Sequence, residues 1–297
     1  MHPLTLGDLI DALEQSGQVD CASHSRLRFW NEQLGHLAAE SITVDDTDRA
    51  IQALKSRGRL TTGWSKPGVP SGKPLKPSTI SRHVGTLQGV YKFARRHRLI
   101  RRNCPSPTQG IEKPAAPIDK NKFLTAQQIE DLITWSQALD RQWGRMTALI
   151  VLLYHTGLRI GSVKAIAWCD VDWGRETVYI HKTKNGEPII SPLTARCLEE
   201  LQKLRRGRPD ELIFANRVGE PYHHRKLWAK IATAAGLPEV TPHWLRHSCG
   251  TAMAQAGLSQ AQIMAQLGHK TLSASARYMH SNAEYQRQAL QKVEAFK

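Results

Sequence analysis

Between Asp48 and Glu112 the sequence contains no acidic residue at all, yet the same stretch carries fourteen lysines and arginines. A surface of mixed charge does not produce such a run, so this segment is expected to present one basic face to a polyanion. The whole chain leans the same way, with 41 Lys and Arg against 26 Asp and Glu and a net charge of +15. Cysteine is sparse: Cys21, Cys104, Cys169, Cys197 and Cys249 are odd in number, far apart and free of any CxxC pair. That excludes a disulfide framework and a zinc ribbon, and fits a reducing cytoplasm. Long hydrophobic runs are missing too. The longest wholly apolar stretch, Ala148 to Tyr154, has seven residues, where a membrane span needs about 20. The N-terminus has no basic region followed by an apolar one, so neither a membrane segment nor an export signal is expected.

What is present divides in two. At 297 residues the chain is long enough for two domains with cores of their own. In the first part, Leu6, Leu9, Ile10 and Leu13 form one helical stripe, Leu27, Trp30 and Leu34 a second, and Ala50, Ile51 and Leu54 a third that Gly58 closes. A fourth begins after Pro77, with Ser78 as cap and Ile80, Val84, Leu87, Val90 and Ala94 at helical spacing. The pattern predicts a four-helix domain over residues 1–112. Opposite the fourth stripe lie Arg82, Thr86, Lys92 and Arg96, and Gly85 and Gly89 reduce bulk where a phosphate backbone approaches. The segment TTGWSKPGVPSGKPLK, which contains Lys73 and Lys76, reads as a basic loop that either tracks phosphates or is simply solvated. Residues 113–122 close a proline-rich stretch without amphipathic period and are read as an interdomain linker.

The second domain, residues 123–297, is expected to be mixed α/β, mostly helical with a small antiparallel sheet. Thr125 and Gln128 make a capping box. An apolar helix runs to Gly157, and Arg159 opens the short helix RIGSVKAI. Two β-rich runs, 177–181 and 188–191, are joined through Lys184-Asn185-Gly186, a strong hairpin signal because both turn positions accept positive φ. Helices are expected over 194–206 and 222–235. His223 and His224 are adjacent rather than at ligand spacing, so no metal site is assigned.

The most informative stretch is TPHWLRHSCGTAMAQAGLSQAQIMAQLGHKTLSASARYMH, residues 241–280. Thr241 caps a helix with Pro242 at its first position; Gly257 ends it, and Ser259 caps a second helix that stops at Gly268. His243, Arg246 and Gly250 share one face of the first helix, while Leu245 and Cys249 turn inward. The glycine leaves room for a bulky anion beside an imidazole and a guanidinium. Singly, Arg246 reads as a surface ion pair and Tyr278 as a half-buried aromatic.

Together, HxxR at His243 and Arg246, Gly268-His269, Tyr278 nine residues later and TGLRIG around Arg159 resemble the signature of the tyrosine recombinase (phage integrase) family. The resemblance aligns Lys184 with the family's hairpin lysine, with Lys182 as the alternative. It implies an N-terminal core-binding domain of SAM-like four-helix form and a catalytic domain. It also implies cutting and rejoining of double-stranded DNA through a 3′-phosphotyrosine, without metal or nucleotide cofactor.

Two arginines suit this chemistry, because charge gathers on the non-bridging oxygens in an in-line displacement. A tyrosine with a pKa near 10 is ionised to about one part in a thousand at neutral pH, so Tyr278 needs a base or a cationic field. His243 is expected to accept the tyrosine proton, His269 to donate to the phosphate and Lys184 to protonate the departing 5′ oxygen.

Three residues after the first arginine the family carries an acid; here it is Ser162, and Asp170 is the substitute considered. No arm-binding domain is expected before the basic bundle. Partners implied are duplex DNA and three further copies in a synaptic homotetramer, with monomer or dimer off DNA and a cytoplasmic, nucleoid-associated location. The tail SNAEYQRQALQKVEAFK is expected to dock on a neighbouring subunit. Integration, excision, inversion and dimer resolution all remain open as outcomes. Two other readings stand beside this one: a type IB topoisomerase with the same residues, and a non-catalytic helix-turn-helix regulator suggested by the helices around Gly257.

Overall fold

The computed structural model describes residues 3–63, 66–112, 114, 122–140, 144–181, 186–276, 278 and 290–291, with backbone only at 61–63, 66–68 and 273. The chain divides into two compact units, Met1–Ile118 and Asp119–Lys297.

In the first unit, α1 (Leu6–Gln15), α2 (Cys21–Leu34), α3 (Val44–Arg57) and α4 (Pro77–Arg96) bring their apolar stripes into one core. Thr5 and Thr43 close capping boxes with Asp8 and Asp46, so the N–H groups of these four residues are met by side chains. Buried polar groups are answered: Trp30 Nε1 donates to His83 O at 2.9 Å and Tyr91 Oη donates to Ala39 O at 2.7 Å. Two expectations need correction. The cap of α4 is Lys76, not Ser78, because Pro77 has its φ preset for the first helical position and lacks only an N–H that would be unpaired there. The expected loop contains an antiparallel ribbon, β1 (Leu60–Gly63) with β2 (Lys66–Pro70). A two-stranded ribbon has only edge strands, which is where the prolines of β2 are tolerated.

In the second unit, α5 (Ala126–Leu139) and the apolar α6 (Arg145–Thr156) form the centre of a core completed by α8 (Ala195–Gln202) and α9 (Arg225–Ala234). The short α7 (Ile160–Lys164) follows α6, and a three-stranded antiparallel sheet runs in the order β3 (Val171–Asp172), β4 (Thr177–Ile180), β5 (Ile189–Pro192). The strand β3 was not expected; it is only two residues long, too short to show alternation. The helix expected from residue 222 starts at Arg225, since the backbone of Tyr222 pairs with Phe214 instead. The last helices are α10 (Pro242–Gln255), α11 (Gln260–Leu267) and α12 (Leu272–Ala276). Mostly helical structure with a small antiparallel sheet is therefore the fold class. Among the described residues no helix is long and apolar enough to cross a membrane.

Candidate active site

Three helix ends converge on α10. α6 stops at Gly157, whose φ of +64° is the left-handed conformation that ends a helix. The chain then turns through buried Leu158, and Arg159 becomes the N-cap of α7. α11 starts at the Ser259–Gln262 capping box and stops at Gly268, also left-handed. Gln266 fixes its end, with Nε2 donating to Thr156 O at 2.9 Å and to Ser191 Oγ at 3.0 Å. A Cβ at Gly157 would lie 2.4 Å from Leu267 Cδ2, so the α6 and α11 ends meet only because that side chain is missing.

Arg246 reaches into this junction. It is 3% exposed, and its Nη1 donates to Gly157 O at 2.7 Å while Nη2 donates to Leu267 O at 2.6 Å. Both acceptors are terminal helix carbonyls, and both helix dipoles present their negative ends there. A cation is thus held at two negative poles, and the fork keeps further N–H donors beyond these two bonds. Burial, and then the Arg159 cation, push its pKa down to about 10, while Tyr278 and Cys249 act in the opposite direction. It stays protonated at neutral pH. Arg159 is half-buried, and among the described residues its side chain has no hydrogen-bond or carboxylate partner. Two guanidinium groups therefore act on one another, and among the described residues no carboxylate pairs with either.

Tyr278 comes back onto the same helix. It is 9% exposed, and its N–H donates to Ser275 O at 3.0 Å. Its ring lies against Gly250, where a Cβ would stand 2.8 Å from Cζ. The room at Gly250 is thus filled by the tyrosine, not left for an anion as the sequence suggested. His269 Nδ1 and Ser275 Oγ are 2.7 Å apart, and the His269 ring is nearly parallel to that of Tyr278 with centroids 6.3 Å apart. The histidine bonded to the tyrosine hydroxyl is His247, with Nδ1 2.9 Å from Oη. His243, expected in that place, is exposed and meets the edge of the His247 ring at 4.6 Å. The i, i+4 spacing of His243 and His247 was the signal that could have revealed the second histidine. Burial pushes the nearby Cys249 thiol up to about 12, which keeps it protonated and inert.

Lys182 and Lys184 lie outside the described residues, as does the tail apart from residues 290–291. Asp170 does not take the place left by Ser162: it accepts from Ala167 N at 2.8 Å and lies 2.6 Å from His181 Nε2. Its carboxylate is occupied by a backbone cap and an imidazole. Among the described residues no three His, Cys, Asp or Glu side chains gather as a metal-ligand set.

The first unit holds a separate groove of about 640 Å³ between α2 and α4, lined among others by Arg26, Arg82, Thr86, Lys92 and Arg96. Arg82, Lys92 and Arg96 are exposed. Gly85 and Gly89 face open space, so the groove floor is backbone there. Thr86 is engaged by Arg26, whose Nε donates to its Oγ1 at 2.8 Å. Arg26 was not expected and had no signal in the sequence. Lys73 and Lys76 are exposed on the segment after β2.

The sequence model described as "Phage integrase family" matches residues 122–285. Tyrosine recombinase XerC of Bacillus subtilis (strain 168) is 30% identical over 226 residues, which cover 71% of this chain and 73% of that protein. The fold is similar to the Tn1549 transposon integrase in complex with circular intermediate DNA, with a TM-score of 0.71 and 20% identity over 97% of this chain and 99% of the other. It is also similar to a lambda integrase tetramer bound to a Holliday junction, with a TM-score of 0.64 and 18% identity over 90% and 76% of the two chains.

Proposed function

The chain belongs to the phage integrase family, and on that premise we infer that it is a site-specific DNA recombinase in which Tyr278 is the nucleophile. The observation that supports the assignment of residues is that Arg159 and Tyr278 both act on the charge of Arg246 while the Tyr278 ring lies on Gly250 of the same helix α10. Tyr278 Oη attacks the scissile phosphorus, the bond to the 5′ oxygen breaks, and a 3′-phosphotyrosine holds the strand. Arg159 and Arg246 bind the non-bridging oxygens with forked N–H donors. His243, in the first turn of α10, and His269, whose ring faces that of Tyr278, would donate to the phosphate. Lys184, or Lys182, protonates the departing 5′ oxygen. Because the tyrosyl ester keeps the energy of the phosphodiester, a second 5′ hydroxyl can reverse the step on a new partner strand.

Duplex DNA is the partner, and the basic face of α4 with Lys73 and Lys76 would track its phosphates. We assign residues 1–112 to core-site binding, 113–122 to the linker and 123–297 to catalysis. Paired sites would be held by four copies, as the lambda integrase tetramer on a Holliday junction holds its DNA, with residues 281–297 passed between neighbours. Relaxation by a type IB topoisomerase and simple regulation by DNA binding are less favoured, because the curated relative is itself named a tyrosine recombinase.

The test is a nicked suicide duplex carrying the site, incubated with the full chain in EDTA. A denaturation-resistant adduct mapping to Tyr278 is expected, absent in Tyr278→Phe while DNA binding persists. An adduct that survives Tyr278→Phe overturns the nucleophile assignment.

A further inference from the structure

We propose that His247 is the base that takes the proton from Tyr278 when the nucleophile attacks, an inference that rests on the assignment of Tyr278 above. The hydroxyl and His247 Nδ1 are 2.9 Å apart, within the reach a general base needs. Two features of the sequence enforce that contact. His247 and Gly250 lie three residues apart on α10 and so share a face. Gly250 lets the tyrosine ring settle directly on the helix backbone, since a Cβ would stand 2.8 to 2.9 Å from three ring carbons. The ring thus lies closer to the helix than any side chain at position 250 would allow, and its hydroxyl ends beside the imidazole.

The other imidazoles are placed for different work. His269 shows Tyr278 the flat of its ring, and its Nδ1 is bonded to the wholly buried Ser275. His243 packs on the His247 ring at a steep angle, 4.6 Å between centroids. For Nδ1 to accept, the neutral His247 must carry its own proton on Nε2. As Oη forms its bond to phosphorus, the phenolic proton passes to Nδ1, leaving imidazolium, while the bond to the 5′ oxygen breaks and that oxygen is protonated by the general acid. In ligation the attacking 5′ hydroxyl loses its proton to that same group, and His247 returns the held proton to the tyrosine oxygen as the ester breaks. Charge and protons balance in both directions. The Arg246 cation next to His247 in sequence helps the phenolate form, through the same attraction by which Tyr278 supports the charge on Arg246.

The experiment is single-turnover adduct formation by the full chain on the nicked suicide duplex, with DNA affinity measured in parallel. His247→Ala should slow cleavage about 100-fold or more at unchanged affinity, and added imidazole should restore part of the rate. Imidazole should do nothing for His247→Phe, in which the space is filled. His247→Asn guards against loss of fold: its amide oxygen can accept the tyrosine hydrogen bond but cannot take the proton, so cleavage should remain slow. Cleavage by His247→Asn or His247→Ala at the wild-type rate overturns the proposal. Tyr278→Phe run beside them separates the two readings. If it is inactive while the His247 variants are unimpaired, only the role of His247 falls; if it still forms an adduct, the assignment of the nucleophile falls first.

Discussion

Gly250 and Tyr278 are in direct contact: a Cβ added to the glycine would lie 2.8 Å from Cζ and 2.9 Å from Cε1 and Cε2 of the ring. The helix residue without a side chain and the nucleophile thus occupy one space. Gly250 is buried within α10, where glycine costs about 1 kcal/mol of helix propensity relative to alanine. Gly250→Ala should therefore strengthen the helix while pushing the tyrosine away from His247. The expected result is a thermal midpoint equal to or above that of the wild type, with adduct formation slowed at least tenfold and DNA affinity retained. Wild-type cleavage by Gly250→Ala would show that the ring has another resting place.

The two arginines should separate in a stability measurement although both are needed for cleavage. Arg246 satisfies the terminal carbonyls of α6 and α11 from a buried position. Removing it leaves both acceptors unpaired, at about 1–3 kcal/mol each. Urea denaturation of Arg246→Ala should therefore show a loss of about 2–6 kcal/mol, the low and high ends of that pair. Arg159 is half-buried with no described side-chain partner, so Arg159→Ala should change stability by no more than about 1 kcal/mol. Equal losses in the two variants would mean that the helix-end carbonyls find water when Arg246 is removed.

His83 makes the first unit sensitive to acid. It is buried edge-on against Phe29, its Nδ1 has no hydrogen-bond partner, and burial, followed by the charges of Arg57 and Arg26, pushes its pKa down to about 4. In the unfolded chain a histidine titrates near 6.5. Between these values the unfolded state binds more protons, so stability is complete above about pH 6.5 and declines as pH falls toward 4. The loss is on the order of 2–3 kcal/mol once water penetration is allowed for. His83→Gln should remove that part of the slope when unfolding of the full chain is followed between pH 7 and 4. A slope unchanged by the substitution would place the acid sensitivity in other groups.

Much of this arrangement was legible because it rests on local rules. The stripes of α1 to α4, the Thr125 capping box, the Ser259 cap and the helix-ending Gly157 and Gly268 follow from helical period and cap chemistry. The less legible parts depend on contacts between distant positions. Arg246 takes its two acceptors from residues 89 and 21 positions away, and no spacing within HxxR announces them. His247 was passed over because the motif directs attention to His243, while the partner of the hydroxyl is decided by where the chain after α12 returns to α10. The ribbon of β1 and β2 was hidden by its prolines, which argue against a central strand but not against an edge. Asp170 looked like a spare acid only until its cap to Ala167 and its contact with His181 were seen.

The groove between α2 and α4 yields the last prediction, which concerns affinity rather than chemistry. Arg82, Lys92 and Arg96 are exposed along its edge, and the nearest acid-free sequence extends from α3 to beyond the end of α4. Each cation that neutralises a phosphate releases counterions, so the slope of log affinity against log salt falls by about 0.9 for every contact removed from duplex DNA. Replacing all three by alanine should flatten the slope by up to about 2.7 on that rule, with equal effect on specific and unrelated sequences. Arg26 should behave differently. Its guanidinium is already committed to Thr86 and Ser23, so it acts by holding Thr86 and the helix surfaces that flank the groove. Arg26→Ala should therefore weaken binding to the specific site more than to unrelated duplex, with a smaller change in salt slope than any single substitution at Arg82, Lys92 or Arg96. A triple variant with an unchanged slope would move the phosphate contacts out of the groove and into the second unit, and a slope lost with Arg26 alone would make that residue a phosphate contact in its own right.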